Sequence, residues 1–105
     1  MEVVLSIDTA NNKEIIIMLT RDKDVYTEKV SLQSHKAQQV LPMTKAILEK
    51  YDLTLQDLTA IHVNTGPGSF TGLRVGIAIA NCLGYLLKIP VNGKEIGQTV
   101  DAVYT

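Results

Sequence analysis

Near residue 34 the spacing of apolar side chains changes from about 2 to about 3.6, and this switch constrains the fold more than any other feature of the chain. Three short runs lie ahead of it. Val3-Val4-Leu5-Ser6-Ile7 reads as a buried strand ending at Asp8. Residues 14–20 form a second, β-branched and apolar strand, preceded by an Asn11-Asn12 turn. After the charged turn Arg21-Asp22-Lys23-Asp24, residues 25–32 set Val25, Thr27, Val30 and Leu32 against Tyr26, Glu28 and Lys29. With one break in phase, this is the pattern of a half-exposed edge strand. Connections this short join antiparallel neighbours, so the three runs predict a meander.

Behind the switch, Val40, Leu41, Thr44, Ile47, Leu48 and Tyr51 share one helical face, with Ser34 as the candidate N-cap and an end near Tyr51. Pro42 lies inside this helix, removes a backbone hydrogen bond and predicts a kink or a late start. A linker over 52–58 leads into a short buried strand at 59–64. A Gly-rich turn, a second helix ending near Lys88 and a last strand, Ile89-Pro90-Val91, follow. Helical crossovers make the last two strands parallel to the first. Three antiparallel strands, then helix, strand, helix, strand, is the order of the α/β ribonuclease-H-like fold, with a five-stranded mixed sheet. A chain of 105 residues suits a single domain. Its expected core covers about 1–92, with a polar tail over 93–105.

Apolar residues make up 46% and charged residues 20%, which excludes a disordered chain. The formal net charge is −1 with acids and bases interspersed, so no basic cluster offers a grip on a nucleic-acid backbone or an anionic membrane. The N-terminus has neither the basic start nor the long apolar core of a signal peptide. The longest apolar run, 75–87, is broken by Asn81 and falls short of the ~20 residues that cross a bilayer. The expected compartment is the cytosol, with no membrane association.

Chemistry-bearing residues are few. Gly66-Pro67-Gly68-Ser69-Phe70-Thr71-Gly72 follows a strand and opens a helix, the setting in which glycines let backbone amides face an anion. Ser69 lacks the spacing of a nucleophile elbow, because Gly72 comes three residues later, and it reads with Thr71 as a helix cap. Asp8 ends the first strand, where an acid can serve a metal or phosphate site, yet no glycine follows it in Thr9-Ala10-Asn11-Asn12, so it reads as a turn residue. His35 and His62 are far apart without nearby acids, His62 falls in a buried strand, and no Cys/His cluster has zinc spacing. No metal is expected. Cys82, the single cysteine, reads as a small buried hydrophobe.

The eleven-residue string Gly66-Pro67-Gly68-Ser69-Phe70-Thr71-Gly72-Leu73-Arg74-Val75-Gly76 resembles the signature of the TsaB family. Those proteins are the non-catalytic subunits of the bacterial machinery that makes threonylcarbamoyladenosine in transfer RNA. Leu5-Ser6-Ile7-Asp8-Thr9-Ala10 resembles the family's first strand and turn. Ser34-His35 with Val40-Leu41-Pro42 resembles its first helix, and Ile89-Pro90-Val91-Asn92-Gly93 the strand after the signature helix. The resemblance implies one lobe of an actin-like ATPase fold, no cofactor, and a role as partner of a TsaD-like ligase subunit. A TsaE-like ATPase would join through that complex, and transfer RNA would be touched only indirectly. Family members usually carry a second lobe, which is absent from this sequence. The competing reading is a nucleotide-dependent enzyme that uses Asp8 and the Gly66 to Gly72 turn, with another chain completing the pocket.

The second helix is apolar nearly all round. Gly72, Gly76, Ile79, Leu83 and Leu87 form the stripe expected on the sheet, which turns Ile77, Ala78, Asn81 and Tyr85 outward. Met43 and Ala46 face away from the core of the first helix. Arg74 lies in the first turn, where the helix dipole disfavours a cation and a partner carboxylate or the sheet edge would compensate. Met43, Ala46, Arg74, Ile77, Ala78, Asn81 and Tyr85 are therefore the candidate partner interface, for the ligase or for a second copy of this chain.

Overall fold

A computed structural model describes residues 1–11, 13–31 and 36–103. Asn12, Leu32, Ser34 and His35 lie outside the described residues, and with them the proposed N-cap of the first helix. The elements run β1 (Val3–Asp8), β2 (Glu14–Arg21), β3 (Asp24–Ser31), α1 (Lys36–Lys50), a short 3-10 turn (Leu55–Asp57), β4 (Ala60–Val63) and α2 (Phe70–Leu87). The sheet order is β3-β2-β1-β4, with β1 antiparallel to β2 and parallel to β4.

Strict alternation along the strands produces a two-layer molecule. Val3, Leu5 and Ile7 of β1, Ile15, Ile17 and Leu19 of β2, and Ile61 and Val63 of β4 are almost fully buried. Their neighbours Val4, Ser6, Ile16 and Met18 are only half-buried. Register aligns the buried set into rows: Leu19, Leu5 and Ile61 across one, Ile17, Ile7 and Val63 across the next. Each fully buried Ile or Leu contributes about 1.5–3 kcal/mol, so these rows dominate the stability of the sheet. The helices cover this face only. Val40, Ile47 and Leu48 of α1 and Leu73, Ile77, Ala80 and Leu83 of α2 complete the core.

α1 runs through Pro42 rather than starting after it, and the buried Thr44 hydroxyl donates to the Val40 carbonyl at 2.8 Å. At its C-terminal end Tyr51 stacks on Tyr26 of β3, ring centroids 3.6 Å apart, and its carbonyl accepts from Arg21 Nη1 at 3.1 Å. These contacts fasten α1 to the outer edge of the meander.

The described sheet has four strands, so the expectation of five is corrected. Ile89-Pro90-Val91 contributes one isolated parallel bridge, Val91 to Ile61. Pro90 has no N–H to extend a ladder, and Asn92 turns the chain with φ +53. The side chain of Asn92 continues the pairing instead: Oδ1 accepts the Val63 N–H at 2.7 Å and Nδ2 donates to the Val63 carbonyl at 3.0 Å. α2 has the length and composition of a membrane span, but its buried residues lie in the core of this fold.

Candidate functional site

At one end of the sheet the chain leaves β1 and β4 and enters α2, and short polar side chains hold the three together. Asp8 Oδ1 accepts the Ala10 N–H at 3.0 Å and Asn64 Nδ2 at 3.2 Å, which closes the turn after β1 and ties it to β4. Asn64 Oδ1 in turn accepts the Gly66 N–H at 2.9 Å. The buried Thr9 hydroxyl donates to the Gly72 carbonyl and accepts the Gly76 N–H at 3.0 Å, bridging β1 to the first turns of α2.

The Gly-rich turn is fitted tightly between these elements. Gly66 has φ +127, a conformation closed to most side chains, and a Cβ there would run into the Val103 carbonyl. The Gly66–Pro67 peptide is cis. Ser69 is the N-cap of α2, its Oγ accepting the Gly72 N–H at 3.3 Å, while Thr71 is exposed in the first turn. Three of the turn's amides are engaged within the protein, Gly66 with Asn64 Oδ1, Ser69 with the Ala10 carbonyl and Gly72 with Ser69 Oγ, as is Leu73 just beyond it with the Ser69 carbonyl. An anion seated here would have to replace those acceptors. Arg74 is exposed with its guanidinium 4.7 Å from the centre of the Phe70 ring, a contact that offsets the unfavourable helix dipole at its position.

Two surfaces flank this junction. On the uncovered sheet face a groove of about 530 Å³ is lined by Asp8, Ile16, Met18, His62, Asn64 and Asn92, among others. His62 belongs to this open face and is exposed, so its placement in a buried strand is corrected. On the opposite side of the molecule, Phe70, Arg74, Ala78, Cys82 and Tyr85 form a continuous exposed line along α2, with Phe70 at 58% and Tyr85 at 70% exposure.

The buried stripe of α2 is rotated from the one expected. Leu73, Ile77, Ala80 and Gly84 join Gly72, Gly76 and Leu83 inside, whereas Ile79 and Leu87 are only half-buried. Ile77 is thus a core residue and not part of the outward set. Asn81 is half-buried and engaged: Oδ1 accepts the Val100 N–H at 2.9 Å and Nδ2 donates to the Val100 carbonyl at 3.0 Å. The tail folds back along the helix at this point, which removes Asn81 from the outward set. Cys82 is exposed, not buried. Ala78 and Tyr85 of α2 and Ala46 of α1 do face outward, and Met43 is half-buried. Thr9, Asn64, Asn92 and Val100 were missed as structural anchors. Asn64, directly after a strand and two residues before a glycine, and Asn92, directly before Gly93, carried turn signals.

A family model described as TsaD, tRNA N6-adenosine threonylcarbamoyltransferase, matches residues 28–93. The tRNA threonylcarbamoyladenosine biosynthesis protein TsaB of Bacillus subtilis (strain 168) is 32% identical over 99 residues, 94% of this chain and 43% of that protein. The protein of the same name from Escherichia coli (strain K12) is 36% identical over 97 residues, 92% of this chain and 42% of its own length. The solved structure of YeaZ from Pseudomonas aeruginosa superposes with a TM-score of 0.82 at 27% identity, over 90% of this chain and 44% of that one. The chain therefore spans less than half the length of these relatives.

Proposed function

The chain belongs to the family described as TsaD, tRNA N6-adenosine threonylcarbamoyltransferase, as a TsaB-like member, and we propose that it is a non-catalytic subunit supporting a TsaD-like ligase in threonylcarbamoyladenosine modification of transfer RNA. On this reading it works in the cytoplasm without a cofactor of its own. It meets transfer RNA only through the ligase and a TsaE-like ATPase only through the assembled complex.

One observation carries the proposal. The line Phe70, Arg74, Ala78, Cys82 and Tyr85 on α2 holds a single charge, and Leu86 beside it is 68% exposed. A two-layer protein ordinarily places charged residues on the outer side of its helices. An outer helix face this apolar is the kind of surface a partner covers. Ala46 of the neighbouring α1 is exposed as well, so the surface extends over the helix layer.

The test is binding to a TsaD-like protein, followed by light scattering on mixtures. The wild type is expected to form a heterodimer. Ala78→Glu is expected to remain folded and fail to bind, since burying an unpaired carboxylate costs about 3–5 kcal/mol. A wild type that ignores the TsaD-like protein overturns the proposal. The alternative, a nucleotide-dependent enzyme, draws on the presence of Asp8 at the open groove. Against it stand the internal bonds of Asp8 and of the turn's amides. The isolated chain is expected to show no ATPase activity, and turnover that vanishes in Asp8→Ala would favour the enzyme.

A further inference from the structure

The tail does not trail away from the domain. After the Gly93 turn, residues 94–99 are exposed. The chain then becomes extended and runs back along α2. Gln98 and Thr99 border a small cavity with Gly84 and Tyr85, Val100 pairs with Asn81, and the Val103 N–H donates to the Thr65 carbonyl at 2.7 Å. The strap therefore passes α2 from its C-terminal part to its N-terminus. Leu73, Ile77 and Asn81 are spaced by four residues and so lie in one line along the helix. The strap touches this line at both ends: Val100 at Asn81, and Val103 at Gly66, beside Leu73. Ile77 lies between them and is 6% exposed.

The attachment is slight. Among the described residues Val100, 6% exposed, is its only buried side chain, Ala102 packs half-buried against the core, and the two ends are held by the Asn81 amide and the Val103 bond. Gly93 and Gly97 have positive φ with nothing near their missing side chains, which places two free pivots at the root of the strap. Segments with few buried apolar contacts open at a far smaller free energy than the core.

We propose that residues 97–103 are a strap poised to open, with Asn81 as the residue that holds it shut. Closed, it fixes the Gly66 turn through Thr65 and hides Ile77. Open, it frees the turn and adds the Leu73–Ile77 strip to the apolar surface of α2. The Asn81 amide, matched to one extended backbone unit by a donor and an acceptor, is what makes closure specific.

Amide hydrogen exchange on the full chain tests this without any partner. Val100 and Val103 are expected to exchange at least tenfold faster than Leu5 and Ile17, because the strap opens without unfolding the sheet. In Asn81→Ala, Val100 and Val103 are expected to quicken about tenfold more, with Gly66 and Ser69 following while Leu5 and Ile17 stay unchanged. Val103→Pro, which removes the donor to Thr65 at an exposed position, is a second arm that should loosen Gly66 in the same way. Exchange of Val100 and Val103 at the rate of Leu5 and Ile17 in the wild type would overturn the proposal. So would strap variants that leave Gly66 and Ser69 unaffected.

Discussion

Thr9 and Gly76 form the contact on which the junction depends most. A Cβ on Gly76 would stand 2.5 Å from Thr9 Oγ1 and 3.3 Å from Ile7 Cγ2, so α2 approaches β1 as closely as a glycine allows. Gly76→Leu forces the helix off the sheet, and a loss of about 1–3 kcal/mol is expected, as overpacking typically costs. For a domain of this size each kcal/mol corresponds to a Tm shift of about 4–8 °C, readily measured by circular dichroism. Thr9→Val keeps the volume but deletes the hydroxyl that serves both the Gly72 carbonyl and the Gly76 N–H. Losing this bridging hydroxyl from a buried site is expected to cost about 0.5–1.5 kcal/mol, and Thr9→Ser should recover most of it. Equal melting temperatures for Thr9→Val and Thr9→Ser would remove the hydroxyl from the account. A glycine in an apolar helix was legible in the sequence as a close approach. The hydroxyl that meets it was not, since nothing local distinguishes Thr9 from any other residue after a strand.

At the scale of elements, periodicity located both helices and all three strands of the meander, because each rests on its own hydrophobic pattern. It failed where a distant segment decided the environment. In α2 the small residues Gly72, Gly76, Ala80 and Gly84 leave the apolar moment poorly directed, and the expected stripe was set on the wrong side of Ile77. Ile77 lies in the core, and the returning tail, more than 15 residues further on, engages its neighbour Asn81. The fifth strand failed for the opposite reason: its pattern was right, but Pro90 and the Asn92 turn leave a single bridge. α1 carries a testable cost of the same kind. Pro42 is exposed at the seventh position of a continuous helix, where it gives no N–H to the preceding turn. Pro42→Ala restores that donor, partly offset by a more flexible unfolded chain. A net gain of about 1–2 kcal/mol is expected, measured by urea unfolding. A loss would mean that the proline ring itself supports α1.

At the scale of the molecule the two-layer design leaves two unequal faces, and either could join copies of the chain. The helix face offers the line from Phe70 to Tyr85, while the sheet face offers Ile16 and Met18 beside polar Ser6, Asp8 and His62. Strand order and layer assignment were legible from alternation, but alternation says nothing about which face is covered by another chain. Composition favours the helices: their exposed line has one charge in five residues, whereas the groove mixes polar with apolar groups. Two copies meeting helix layer to helix layer give a closed twofold pair. The wild type is therefore expected to rise from 11.5 kDa toward twice that mass with increasing concentration. Ala78→Glu is expected to stay at 11.5 kDa, and Ile16→Glu, whose charge points into the open groove, to follow the wild type. Sedimentation equilibrium on the three proteins separates the faces, because each charge burdens only one of them. If Ile16→Glu abolishes association and Ala78→Glu does not, the sheet face is the docking surface and the reading of α2 as the partner face fails with it.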